Sequence, residues 1–124
     1  MIQFGREITS NLEAALRREW LVTNGIGGYA MGTIAGARTR RYHSLLTAAL
    51  HPPTHRTVTL ADLDTWLDIN GRRYPLATHE WAAGVVLPDG YRHLEHFELD
   101  GTIPVFTWAL GDVQIEQRIW MAYG

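Results

Sequence analysis

The sequence predicts a mainly β protein: an antiparallel, supersandwich-like β-sandwich with one short N-terminal helix. Three observations carry that expectation. Short runs rich in β-branched and aromatic residues are separated at regular intervals by Gly, Pro and Asn turn signals. Asn70-Gly71 stands between two such runs and is the strongest short hairpin signal, because both positions of that turn need positive φ. From Val113 to Met121, Val113, Ile115, Ile119 and Met121 alternate with Gln114, Glu116, Arg118 and Trp120, the period of a half-buried strand.

The elements follow in order. Ser10 with Glu13 three residues later reads as a capping box, which opens one helix through about Arg17 with Leu12, Ala15 and Leu16 on its apolar face. Trp20-Leu21-Val22 is a short strand. Gly25, Gly27, Gly28, Gly32 and Gly36 then exclude a stable helix and leave turn, strand and turn. Tyr42 to Leu50 reads as a buried strand stopped by His51-Pro52-Pro53 and followed by a loop. Thr57 to Ile69 reads as one alternating strand, returning through the Asn-Gly turn along Arg72 to Leu76. Pro88-Asp89-Gly90 is a turn and Leu94 to Leu99 a strand. Ile103 to Ala109 pairs with Val113 to Met121 across Gly111-Asp112. The chain stops directly after that strand, so the expectation is a partial, truncated domain over residues 1–124 whose last strand awaits partners.

Composition narrows the function. With 124 residues, 46% hydrophobic and 19% charged, the chain has room for one core and no mark of disorder. A net charge of -2 offers no general attraction to nucleic acid or anionic lipid. All eleven basic residues are Arg. Without Cys there is no disulfide framework, thiolate metal site or cysteine nucleophile, which suits a reducing cytoplasm. No apolar run approaches the roughly 20 residues of a membrane span, and Arg6 and Glu7 occupy the place of a signal peptide's apolar stretch. No metal and no cofactor is called for.

One stretch is chemically distinctive. Gly25-Ile26-Gly27-Gly28-Tyr29-Ala30 formally fits the dinucleotide fingerprint G-x-G-x-x-A. A Rossmann turn must open a helix, yet Gly32, Gly36, Thr33 and Ile34 fill that place, and from Trp20 through Ala61 no Asp or Glu is present to hold a ribose. Cofactor binding is therefore set aside. The same acid-free stretch gathers Arg38, Arg40, Arg41 and Arg56 with His43, His51 and His55. Four Arg spread so widely in an acidic chain are more simply paired with acids on other strands than with phosphates.

The run NGIGGYAMGTIAGARTRRYHSLL resembles a signature near the start of bacterial and archaeal glycogen-debranching enzymes of the amylo-1,6-glucosidase type. Trp20, Asn24, Gly25, Gly27, Gly28, Tyr29, Ala30, Gly32, Thr33, Gly36, Thr39, Arg40, Arg41, Tyr42, His43, Leu45 and Leu46 fall where that pattern puts them. The hairpin from Leu60 to Leu76 and the IEQRIWM strand follow its course too, so the resemblance covers most of the chain. Met31 and Arg38 stand where smaller or amide residues are common. Ser44 replaces the usual Gly, and its side chain would crowd any close approach of backbone or sugar.

The resemblance implies a two-part enzyme: a non-catalytic N-terminal β-sandwich, then an (α/α)6 barrel that hydrolyses α-1,6-linked glucose at branch points and is absent from these residues. Its partners would be an α-glucan, glycogen or maltooligosaccharide, and the intramolecular catalytic domain. An inverting glycosidase needs two carboxyls ~6.5 to 9.5 Å apart, one protonated and one ionised. The pairs Asp62 with Asp64 and Glu95 with Glu98 read instead as solvated strand faces, and no catalytic residue is assigned.

Asn24, Arg40, Arg41, Tyr42, His43, Trp66 and Trp120 are the candidates for substrate binding or interdomain contact, and Gly25, Gly27, Gly28, Gly32 and Gly36 form a structural glycine loop. Arg40, Arg41 and His43 either reach the active-site rim, lock the domains together, or tie the Gly-rich loop to neighbouring strands. Strand alternation puts Arg40 and Tyr42 on one face, with Arg41 and His43 on the other. Trp66, in line with Asp64 and Asp68, and Trp120, on the polar side of its strand, are candidate platforms for a pyranose face, whereas Trp20 is expected to pack. A different class, a free-standing carbohydrate-binding β module, stays open.

Overall fold

The computed structural model describes residues 2–123. Two four-stranded antiparallel sheets face each other. Strand β1 (Gln3–Phe4) leads into two one-turn helices, α1 (Arg6–Thr9) and α2 (Leu12–Leu16). The first sheet continues with β10 (Leu94–Asp100), β11 (Ile103–Leu110) and β12 (Val113–Arg118) in the order β1-β10-β11-β12. The second is the meander β2 (Glu19–Thr23), β3 (Tyr29–Thr33), β4 (Ser44–His51) and β5 (Thr54–Leu60). Two hairpins link the sheets: β6 (Trp66–Ile69) with β7 (Arg72–Pro75), and β8 (Thr78–Glu80) with β9 (Val86–Asp89). The expected mainly β, antiparallel, sandwich-like class is what the strands form. None of the described helices is long and apolar enough to cross a membrane.

Inward positions of both sheets build one core. Trp20 and Val22 from β2 meet Phe97, Phe106 and Trp108 from β10 and β11. The Trp20 ring stands edge-on to Phe106, at 6.3 Å between centroids and 84° between planes, the arrangement the ring quadrupoles favour. Gly32, paired with Trp20 across the ladder, lets the indole lie on the backbone: a Cβ there would stand 3.0 Å from Trp20 Cζ2.

Several local expectations are corrected. The single helix is two, because Asn11 is the real N-cap of α2: its Oδ1 accepts from the Ala14 N–H at 3.1 Å. Ser10 instead closes α1, its hydroxyl bonded to the Arg6 carbonyl. The long alternating run from Thr57 breaks between Leu60 and Trp66, since alternation in sequence does not register a chain that leaves its ladder. The loop expected after Pro53 is a tight hairpin, with β5 starting at Thr54. Pro88 and Asp89 lie in β9 rather than in a turn. Pro is tolerated there because β9 belongs to a two-stranded ribbon with an open edge. Gly90 follows, its N–H bonded to the Ala77 carbonyl at 2.8 Å; a Cβ would meet the Leu76 backbone at 2.3 Å. The last ladder ends at Arg118, short of Met121.

The hairpins keep to the turn chemistry of their residues. Asn70 (φ 51°) and Gly71 (φ 77°) give the primed turn between β6 and β7, with Ile69 opposite Arg72. Leu110 opposite Val113 closes the β11–β12 hairpin around Gly111.

Candidate functional site

The Gly-rich loop between β2 and β3 is held by Asn24. Its Oδ1 accepts from the N–H groups of Ile26, at 3.1 Å, and Gly28, at 3.0 Å, a side-chain substitute for a backbone turn. Gly27 is the position with least freedom. Its φ is +99°, and a Cβ would lie 2.7 Å from the Pro53 carbonyl oxygen. Arg56 from β5 donates its Nε to the Gly27 carbonyl at 2.7 Å, so the loop is fastened to the β4–β5 hairpin. Gly25 and Gly36 also take positive φ, and a Cβ on Gly28 would strike the Asn24 amide.

Residues 40–43 do not form the expected strand. The His43 N–H bonds the Arg40 carbonyl at 3.1 Å, a turn that brings together two side chains assigned by alternation to opposite faces. Both converge on Glu19, the first residue of β2. Arg40 Nε lies 2.8 Å from Glu19 Oε1 and His43 Nε2 lies 2.9 Å from Oε2. His43 is fully buried, and its Nδ1 accepts from the N–H groups of Thr39 and Arg40 at 3.0 and 3.1 Å. Nδ1 therefore carries no proton, and the Nε2 proton is donated to Glu19. That hydrogen bond first, with Arg40 adding to it against the opposing effect of burial, holds the Glu19 carboxyl below its ordinary value. Arg38 completes the corner by donating Nε to the His43 carbonyl at 2.6 Å. Ser44 is buried in β4 with its hydroxyl 2.6 Å from Thr47 Oγ1.

The other candidates lie elsewhere. Arg41 sits over the Tyr42 ring at 5.6 Å, and Tyr42 is half exposed. Trp66 and Trp120 are 48% and 67% exposed and Trp20 is packed. Asp62 and Asp64 are in an irregular segment rather than on a strand face, and they flank His79, with Nε2 2.6 Å from Asp64 Oδ1 and Nδ1 3.7 Å from Asp62 Oδ2. Ligand atoms of these three residues lie within 4.8 Å of one another, close enough to share a cation. Each ring nitrogen already faces its own carboxylate, however, with Asp64 in hydrogen-bond reach and Asp62 beyond it.

A cleft of about 410 Å³ opens between the two sheets, lined by Trp20, Leu45, Phe106, Trp108, Ile119 and Trp120. Arg38, Asp62 and Arg118 also line it. Trp120 is thus in the cleft, whereas Trp66 and the Arg40–His43 turn are not among its walls. The buried Trp108 Nε1 has no hydrogen-bond partner among the described residues. An unpaired buried donor costs about 1 to 3 kcal/mol, which marks the place where an acceptor is wanted.

Sequence reasoning missed Glu19, His79 and Trp108. Glu19 had a usable signal, as the acid immediately before an acid-free run rich in Arg and His. His79 and Trp108 had none, because only tertiary folding gives them their neighbours. The family profile described as glycogen debranching enzyme N terminal matches residues 18–124. No curated protein and no solved structure matches the chain.

Proposed function

The chain belongs to the glycogen debranching enzyme N-terminal domain family, and from that premise we propose that it is the non-catalytic β domain of an amylo-α-1,6-glucosidase. In this reading it supports the hydrolysis of α-1,6-linked glucose at glycogen branch points by an (α/α)6 barrel encoded beyond these residues, in the cytoplasm. The observation that carries the reading is the state of Glu19, the acid just ahead of the Gly-rich run. A glycosidase needs a general acid whose pKa is raised, whereas Glu19 is pushed the other way and committed to Arg40 and His43. The signature thus supports a scaffold rather than chemistry.

Two measurements test it. Incubated with a phosphorylase-limit dextrin, the 124-residue chain should release no glucose above the blank; steady release would overturn the non-catalytic reading. The genomic reading frame should run on past Gly124 into a helical barrel, and a stop codon there would sink the two-part enzyme.

A second reading is favoured by the exposed Trp66 and Trp120. It is a free-standing α-glucan-binding module. Titration with maltooligosaccharides, followed by Trp fluorescence, should then give a saturable change that Trp120→Ala or Trp66→Ala weakens. No response at millimolar sugar leaves scaffolding alone.

A further inference from the structure

Asp62, Asp64 and His79 carry no metal-site spacing in sequence, and folding alone brings them together. His79 is the middle residue of β8, and its neighbour Thr78 is buried and accepts the Tyr91 N–H at 2.8 Å. The two aspartates come from the irregular segment between β5 and β6. The Trp81 ring packs beside the imidazole, 5.7 Å away between centroids, and limits how the ring can turn.

The proton on that ring can be placed. An ionised carboxylate has only acceptors, so the 2.6 Å hydrogen bond from His79 to Asp64 Oδ1 needs the proton on Nε2. Nδ1 of the neutral ring is then a bare lone pair, and it faces a second acceptor, Asp62 Oδ2, at 3.7 Å. A second ring proton would draw that oxygen in to about 2.8 Å, the length of a charge-assisted hydrogen bond. Two ligands of a tetrahedral zinc ion, each about 2.1 Å from it, lie about 3.4 Å apart. The separation between Nδ1 and Oδ2 is therefore close to the span across a metal ion and far from that across a proton. Asp62 Oδ1 meanwhile accepts the Leu63 N–H at 2.8 Å, which leaves Oδ2 as the oxygen turned to the ring. A ligating imidazole commonly gives its other N–H to a carboxylate, which fixes the tautomer and raises the basicity of the ligand nitrogen. Asp64 stands in that position.

We propose that His79 Nδ1 and Asp62 Oδ2 bind a divalent transition-metal ion of the zinc type, with Asp64 as the positioning residue that holds the ring. Water completes the coordination. An imidazole nitrogen beside a carboxylate oxygen suits zinc, nickel or copper and disfavours magnesium and calcium, which take oxygen donors. The ion fastens the segment between β5 and β6 to β8, at the edge of the cleft that Asp62 lines.

Calorimetric titration of the untagged, chelator-treated chain with zinc chloride at neutral pH tests this, with far-UV circular dichroism to verify that each variant folds. Zinc should bind one to one and raise the urea midpoint, because an ion held by the native state alone stabilises it. Magnesium at the same concentration should not compete. Asp62→Asn and His79→Gln should each weaken zinc at least tenfold, and Asp64→Asn about tenfold. Nitrogen-15 NMR of the metal-free chain should show His79 as the Nε2–H tautomer, and zinc should shift Nδ1. Asp64→Asn should reduce that tautomer preference, which a loss of stability alone does not do. The rings of His51 and His55, 5.2 Å apart, are the rival imidazole pair, so the double variant H51Q/H55Q should bind zinc as the wild type does. Three results would each overturn the proposal: no saturable binding at millimolar zinc, binding that follows His51 and His55 in place of Asp62 and His79, or an imidazolium at His79 in the metal-free chain at neutral pH.

Discussion

Two histidines in this molecule each meet carboxylates, and they do so in opposite ways. His43 is fully buried, its Nδ1 is saturated by two backbone donors, and its single ring proton has one destination, Glu19. His79 lies partly exposed between Asp62 and Asp64, one carboxylate on each nitrogen. The contact with Asp64 is a hydrogen bond, whereas 3.7 Å to Asp62 is too long for one. The first arrangement fixes a tautomer and with it the shape of the turn from Thr39 to His43. The second is a partly exposed contact between side chains, in which the His79 ring receives no backbone hydrogen bond. Equal residue types thus make a structural latch in one place and a surface contact in the other, and the difference lies in what the backbone contributes.

Mutations should separate the two. His43→Ala should have the largest effect, about 3 kcal/mol lost in urea denaturation, because it strands the Thr39 and Arg40 N–H groups and one Glu19 oxygen at once. Gly27→Ala, on the loop fastened beside that corner, should cost about 2 kcal/mol, since it forces a Cβ into positive φ and onto Pro53. Glu19→Gln should cost about 1 kcal/mol at neutral pH. Because the folded pKa of Glu19 is lowered, its contribution is present above the ordinary glutamate range and lost as the pH falls through the depressed folded value. Urea midpoints of wild type and Glu19→Gln should therefore converge in acid. Asp64→Asn should be smallest, below about 0.5 kcal/mol, as for exposed ion pairs in general. If Asp64→Asn cost as much as His43→Ala, the contrast between latch and surface contact would fail.

These contrasts also mark how far the sequence could be read. The strands of the β6–β7 and β11–β12 hairpins were legible because a dipeptide turn fixes where the chain reverses. The β8–β9 ribbon was not, because its strands are three and four residues long and its turn uses Ala83 at φ 68°, a residue that signals nothing. At the candidate site, Asn24 and the glycines followed from local rules. The pairing of Arg40 with His43 did not, since a strand was assumed where the chain turns. Glu19 stands over twenty positions from His43 in sequence, and only the ladder of β2 with β3 brings it near.

The Asn70-Gly71 turn has a use beyond its part in folding. A Cβ on Gly71 would meet nothing within 4 Å, and the hairpin carries its tip out into solvent, whereas the β4–β5 tip is clasped by Gly27 and Arg56. One surface loop is thus free and another is fastened. The free tip is the natural attachment point for a fluorophore, an affinity tag or an inserted reporter domain that must leave the sandwich undisturbed.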